Sequence, residues 1–416
     1  MARTHLTNPL DEEVRQTARD ARRIVVKIGS GVLTANGVIR SRAVGEIAGQ
    51  VARLLDDGRQ IVIVSSGSIA LGSLALGWSD PGRSIPEKQA AAAIGQIGLS
   101  ELWRRRFARH ELSVGQVLVT RTGLEDHERF LNARHTLSTL LRLGVVPVVN
   151  ENDTVATEEI RFGDNDNLSA TVVNLVAADL LVILTDVDGL FVDPPAEGSR
   201  PGGEIFGVVS GITPAVERAA AGSSSAFGRG GMITKLEAAR SAARSGASTV
   251  IGNGLRRGCL LRIAAGKPEG TLFLPGNRLA SRKHWLAFTA QPRGRVHLDE
   301  GAAAALREQG RSLLPAGIVR VEGRFGIGDP VALHDTAGVE FARGLSGYSA
   351  NDVDRIKGHS TRQIDQVLGY SNGDEVIHRD DLVLLGDAAS TTPVEDPRSA
   401  GKPTKGPRPG TGAERT

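Results

Sequence analysis

The feature that most limits how this chain can fold is an alternation of short apolar runs with longer amphipathic segments. Runs at Ile24–Ile28, Ile61–Val64, Val114–Val119, Val145–Val149, Leu180–Leu184 and Thr249–Ile251 have strand length and little internal polarity. Between them, Arg42–Leu55, Pro86–His110, Glu128–Leu143, Leu168–Ala177 and Met232–Arg244 read as helices. The third of these is well punctuated, with Asp126 available as a cap and Gly144 directly after its end. Near-continuous apolar strands separated by helices predict an α/β fold: a mostly parallel open sheet sandwiched by helices. In such sheets ligands gather beyond the carboxyl ends of the strands. Pro147 cannot donate to a ladder, which pushes the Val145–Val149 strand toward a sheet edge.

The pattern is not uniform along the 416 residues. Residues 1–22 are polar and arginine-rich with no strand pattern, and read as an N-terminal extension. The α/β domain is expected over 23–290. After about Pro275 the pattern changes; Gln291–Arg295, with Pro292 and Gly294, reads as a linker. Short strands and glycine turns then follow, as in Gly317-Ile318-Val319-Arg320-Val321, so 293–386 is expected to be a small β-rich second domain. Residues 387–416 carry almost no large apolar side chains, and are expected to be disordered.

Apolar residues at 40% and charged residues at 23% fit a soluble globular protein. A formal charge of +3 is small for this length, so the pI near 9.2 argues only weakly for a nucleic-acid partner. Cys259 is the sole cysteine, which rules out an internal disulfide and a multi-cysteine metal site and fits a reducing cytoplasm. Asp11, Glu12 and Glu13, without an apolar core segment, do not make a signal peptide. No apolar stretch approaches the ~20 residues of a membrane span. The expectation is a soluble, cytoplasmic protein.

The densest chemistry follows the Val145–Val149 run, at Asn150-Glu151-Asn152-Asp153 and Gly163-Asp164-Asn165-Asp166-Asn167. Clusters of carboxylates and carboxamides make a poor core but a good rigid site for a small zwitterion. Asp153 suits a substrate ammonium, and Asn165 can bond either end of an amino acid. Asp164 or Asp166 suits magnesium, which prefers a few carboxylate and water oxygens. Asn167 reads as a cap for the helix from Leu168. The bland alternative is a surface loop with an Asx turn.

Lysines and glycine turns supply the complementary charge. Lys27 lies within the first apolar run and is followed by Gly29-Ser30-Gly31; a buried ammonium needs a partner, and phosphate oxygens are a natural one. A strand-end lysine reaching solvent is the plainer alternative. Ser65-Ser66-Gly67-Ser68 suits a carboxylate or a phosphate, or is an ordinary strand-to-helix turn. Thr185-Asp186-Val187-Asp188-Gly189, ending another strand, is placed to meet a nucleoside. Gly228-Arg229-Gly230-Gly231-Met232-Ile233-Thr234-Lys235 leads into a helix and would expose amides to phosphate, with Lys235 one turn in. Neither a P-loop motif nor a full dinucleotide-binding glycine motif is present.

In combination, these motifs resemble the glutamate 5-kinase family, amino acid kinases with a C-terminal PUA domain. The likeness runs from about Ile24 to Leu385. It rests on Val-Val-Lys-Ile-Gly-Ser at 25–30, Val-Ser-Ser-Gly-Ser at 64–68, Glu-Arg-Phe-Leu-Asn-Ala-Arg at 128–134 and Asn-Glu-Asn-Asp at 150–153. Gly-Asp-Asn-Asp-Asn-Leu-Ser-Ala at 163–170, Gly-Gly-Met-Ile-Thr-Lys at 230–235 and His378-Arg379-Asp380-Asp381 complete it. The resemblance implies ATP- and magnesium-dependent phosphorylation of the γ-carboxylate of L-glutamate to glutamyl 5-phosphate, for proline synthesis. Carried over by position, Lys27, Lys235 and Asp166 are catalytic, and Ser66, Asp153 and Asn165 bind glutamate. Lys27, Thr185, Asp186 and the run Arg229, Gly230, Gly231, Met232, Ile233, Thr234 and Lys235 bind ATP. Arg229 departs from the threonine expected there. The resemblance also implies feedback inhibition by proline, a homo-oligomer (dimer or tetramer) and hand-off to a glutamyl phosphate reductase.

The nearest alternative is a related kinase acting on acetylglutamate, aspartate or a nucleoside monophosphate. A nucleotide acceptor calls for converging arginines, whereas Asp153 suits an ammonium. The other alternative is RNA binding by the second domain. There Arg295, Arg307, Arg311, Arg320 and Arg324 are balanced by Asp299, Glu300, Glu308, Glu322 and Asp329, and the aromatics are few, Phe325, Phe341 and Tyr348 among them. A stacking platform for RNA is poorly supplied, so RNA is not expected as a main partner.

Overall fold

The computed structural model describes residues 9–35, 38–78, 80, 82, 84–155, 165–193, 203–222, 231–275 and 291–385. The chain enters through α1 (Pro9–Asp20) and β1 (Arg23–Ile28), followed by α2 (Ser30–Leu33), the hairpin β2 (Thr34–Ala35) and β3 (Val38–Ile39), and α3 (Ser41–Asp56). Next come β4 (Gln60–Ser65), α4 (Ser68–Ala75), α5 (Ile85–Ala108), β5 (Val114–Val119), α6 (His127–Arg142) and β6 (Val146–Glu151). The first domain then adds α7 (Asn165–Val176), β7 (Leu180–Thr185), β8 (Val208–Val209), α8 (Pro214–Ala221), α9 (Met232–Arg244), β9 (Ser248–Asn253), α10 (Cys259–Ala264) and β10 (Thr271–Phe273).

Eight strands form one sheet in the order β5-β6-β4-β1-β7-β9-β10-β8, and the six from β5 to β9 run parallel. β10 runs antiparallel to β9. Alternation along the central strands sorts side chains between two cores. Ile24, Val26 and Ile28 of β1 face Leu99 and Trp103 of α5 and Val44 of α3. Val25 faces the other way, with Leu168 and Val172 of α7 and Leu236 and Ala239 of α9. Lys27 shares the parity of Val25 and is therefore delivered to the face where α7 and α9 begin.

Three expectations need correction. β6 is not an edge strand; it lies between β5 and β4. Its ladder to β4 covers only Val148 and Val149, beyond the proline, so the missing Pro147 amide interrupts nothing there. The helix expected from Leu168 starts at Asn165, which puts Asn167 inside its first turn and not at a cap. The supposed N-terminal extension contains α1, and Ala18 on it and Ala21 just after it enter the first core. Arg15, 4% exposed, fastens that helix by donating to the carbonyls of Lys267, Glu269, Gly207 and Gly270.

The second domain is the β-rich unit expected: β11 (Gly294–Leu298), α11 (Glu300–Gln309), β12 (Ile318–Gly323), β13 (Pro330–His334), β14 (Glu340–Leu345) and β15 (Leu382–Leu384). They form a five-stranded sheet in the order β12-β11-β13-β14-β15 around its own core, which includes Val296, Leu333 and Ile377. β11 starts at Gly294, so the linker stops short of Arg295. The tail expected at 387–416 lies outside the described residues.

Candidate active site

The carboxyl ends of β1, β4, β6, β7 and β9 lie along one edge of the sheet, and the candidate residues collect there. At the middle of that edge the two lysines singled out in the sequence meet on one carboxylate. Lys27 Nζ is 2.5 Å from Asp166 Oδ1, and Lys235 Nζ donates to Asp166 Oδ2 at 3.1 Å. Thr234 Oγ1 donates to the same Oδ2 at 3.0 Å. Asp166 is fully buried, and Lys27 and Lys235 are 4% and 6% exposed. Desolvating one carboxylate and two ammoniums is costly unless they pair. Two ammoniums held side by side on one carboxylate suit the anionic oxygens of a transferring phosphoryl group.

Beside the lysines, the edge is built from carboxamides and hydroxyls. Asn165 Nδ2 donates to Asn150 Oδ1 at 2.8 Å and to Ser66 Oγ and Ser65 O, each at 3.2 Å. Asn150, 1% exposed, passes the chain on by donating to Gln96 Oε1 at 2.8 Å. Trp103 Nε1 holds Ser65 through its hydroxyl at 3.0 Å. Asp153 is half-buried and accepts from Ser68 Oγ at 2.8 Å. The turn carrying these hydroxyls needs Gly67, whose φ of 109° is in the region that disfavours side chains.

At the other end of the edge, Thr185 Oγ1 donates to Asp186 Oδ1 at 3.1 Å. A Cβ on Gly31 would lie 3.2 Å from Asp186 Oδ2, so the glycine turn after β1 lets the two loops close together. α9 starts at Gly231 with no side-chain cap and no acidic residue in its first turn, leaving its amides and positive end toward an incoming anion. Met232 turns into the core at 6% exposure, while Ile233 is 48% exposed. Arg229, Gly230 and Asp164 lie outside the described residues.

Of the two candidates for magnesium, Asp166 faces Lys27, Lys235 and Thr234 here, and Asp164 is not among the described residues. Among the described residues no group of three His, Cys, Asp or Glu side chains could hold a metal ion. The Cys259 thiol is buried, which pushes it up to about 12 and leaves it no use as a nucleophile.

Gln96 and Asn150 carry the acceptor network and were given no role from the sequence. Asn150 stood within a polar cluster that could have flagged it. Gln96 lies inside a long helix and carried no signal.

Residues 22–253 match the amino acid kinase family, and residues 294–368 match the PUA domain. Three curated relatives are each named glutamate 5-kinase. That of Citrifermentans bemidjiense is 49% identical over 373 residues, 89% of this chain and 100% of its own. That of Geobacter sulfurreducens is 51% identical over 367 residues, 88% of this chain and 98% of its own. That of Nitrosococcus oceani is 51% identical over 373 residues, 89% of this chain and 99% of its own. With its parallel sheet, its paired lysines and its appended β-rich unit, the chain belongs to the amino acid kinase family, in the glutamate 5-kinase group with a C-terminal PUA domain.

Proposed function

We propose that the chain phosphorylates the γ-carboxylate of L-glutamate with ATP, giving glutamyl 5-phosphate and ADP as a step toward proline. The observation that carries this reading is the meeting of Lys27 and Lys235 on Asp166 at the carboxyl edge of the sheet. A carboxylate is already ionised at neutral pH, so the reaction needs no general base. What it needs is alignment and neutralisation of charge on the transferring phosphoryl oxygens.

In this reading Asp166 fixes the two ammoniums, and Lys27 and Lys235 neutralise charge as the bond to the leaving phosphate breaks. Ser66 and Asn165 orient glutamate, and Asp153 receives its ammonium. Thr185, Asp186 and the amides at the start of α9 hold the nucleotide, with Arg229 adding a phosphate contact or facing outward. Magnesium would accompany the nucleotide through phosphate oxygens and water. The family reading adds feedback inhibition by proline, a homo-oligomer, passage of the labile acyl phosphate to a reductase and a cytoplasmic location. Among the described residues no helix is long and apolar enough to cross a membrane.

The test is an ADP-release assay offering glutamate, acetylglutamate, aspartate and UMP separately. Turnover with glutamate well above the others is expected. Preference for UMP or acetylglutamate would assign the site to another acceptor.

A further inference from the structure

The two domains meet through a buried charge pair that none of the roles above uses. Arg134, on α6, is 7% exposed and Asp381, just before β15, is 6% exposed. One guanidinium nitrogen of Arg134 donates to both oxygens of Asp381, at 2.6 and 2.5 Å. Each residue stands in a motif marked in the sequence, at 128–134 and 378–381, and neither motif has yet found a purpose.

Each partner is fixed within its own domain. On α6, Leu131, Leu137 and Leu141 are buried on either side of Arg134. The Asp381 amide donates to His378 O, the Arg379 amide donates to Ser312 Oγ, and β15 pairs with β14 directly after. The pair therefore joins two elements that are each anchored in their own domain.

Stability is a poor account of such a pair, since an apolar contact of the same shape would hold the domains together without the desolvation cost. A buried pair instead specifies position, because only one docking geometry leaves neither charge unpaired. The helix so positioned leads to the acceptor end of the cleft. Ahead of it, the Arg121 amide donates to Glu151 Oε1 at 3.2 Å, and the Asn152 amide donates to Val119 O at 2.8 Å. Along it, Leu137 and Leu141 share a core with Leu168 and Val172 of α7, whose first residues are Asn165 and Asp166.

We propose that Arg134 and Asp381 are an interdomain positioning pair, through which seating of the PUA domain on α6 sets the acceptor end of the cleft and its affinity for the acceptor. The proposal rests on the acceptor-site reading above.

The experiment compares full-length wild type with Arg134→Ala, Asp381→Asn, the double variant and Asp381→Glu. KM for glutamate and for ATP is measured, together with hydrogen exchange at residues 150–153 and 165–168. A coupling of this kind predicts a rise of roughly two- to thirty-fold in glutamate KM, with ATP KM nearly unchanged. Faster exchange at 165–168 should accompany it, the double variant should be no worse than the worse single one, and Asp381→Glu should recover part of the loss. Asp381→Asn keeps the side chain's shape and serves if Arg134→Ala fails to fold. Unchanged kinetics and exchange with only a lower melting temperature, or equal rises in both KM values, would overturn the proposal. If wild type does not phosphorylate glutamate, the function reading fails; exchange at 165–168 that still responds to the variants supports the pairing, and exchange that does not respond overturns it.

Discussion

A Cβ placed on Gly95 would lie 1.8 Å from the carbonyl oxygen of Ser68, and one on Gly72 would lie 1.7 Å from the carbonyl oxygen of Ala91. α4 and α5 cross with their backbones almost touching, and that crossing fixes the turn that presents Ser66 and Ser68. Gly95→Ala must push the helices apart. A destabilisation of about 1–3 kcal/mol is expected, since overpacking typically costs that much. Chemical denaturation and glutamate KM check it, and KM should rise more for glutamate than for ATP.

Lys235→Ala removes one of the two ammoniums on Asp166. Turnover should fall by roughly 10²–10³-fold, the usual loss of one preorganised donor to a charged transition state. A circular dichroism spectrum close to wild type should accompany it. Turnover near normal in a folded variant would remove the lysine from the mechanism.

Asp153→Asn keeps shape and removes the charge offered to a substrate ammonium. Glutamate KM should rise by roughly thirty-fold or more, the order of a lost close charge pair. Steady-state titration of glutamate at saturating ATP measures it, and an unchanged KM would exclude the role.

Deleting residues 291–416 removes the second domain and everything beyond it. Each proposed catalytic group precedes the cut, so some kinase activity should remain, with glutamate affinity lowered as in Arg134→Ala. Complete loss in a fragment that still melts cooperatively would show that the second domain does more than position.

His135, beside the interdomain pair, has its pKa lowered below the ordinary 6.5 by burial and then by Arg134, against the smaller pull of Asp381 and Glu375. As pH drops below 6.5 the unfolded chain takes up a proton that the folded one refuses. Stability is therefore complete above that value and declines below it, until the folded imidazole also titrates. Melting temperatures between about pH 7 and 5.5 should fall further for wild type than for His135→Gln.

The sheet was legible because its strands are buried on both faces and read as unbroken apolar runs. β5 and α9 match their expected bounds, and Asn150 and Asn165, from the two polar clusters, meet at the carboxyl edge of the sheet. α4 was not legible: Ser68-Ile69-Ala70-Leu71-Gly72 has no one-sided pattern, and its contact with α5 depends on backbone approach. Arg15 was invisible as an anchor because its carbonyl partners are more than 190 residues away in sequence. The ion pairs of Asp166 were not legible, because a carboxylate that meets magnesium and one that meets lysines have the same sequence signature. Phe325, Phe341 and Tyr348 are core residues, at 6%, 8% and 0% exposure, and offer no surface on which bases could stack.

The amide chain from Gln96 through Asn150 to Asn165 has a direction. Because Asn165 gives its nitrogen to Asn150, Ser66 and Ser65, the polar atom it can still offer a ligand is an oxygen. That oxygen welcomes a hydrogen-bond donor and repels a carboxylate. If Asp153 receives the substrate's ammonium as proposed, the cleft would favour a free α-amine, and an N-acylated acid would arrive with its only cationic handle already capped.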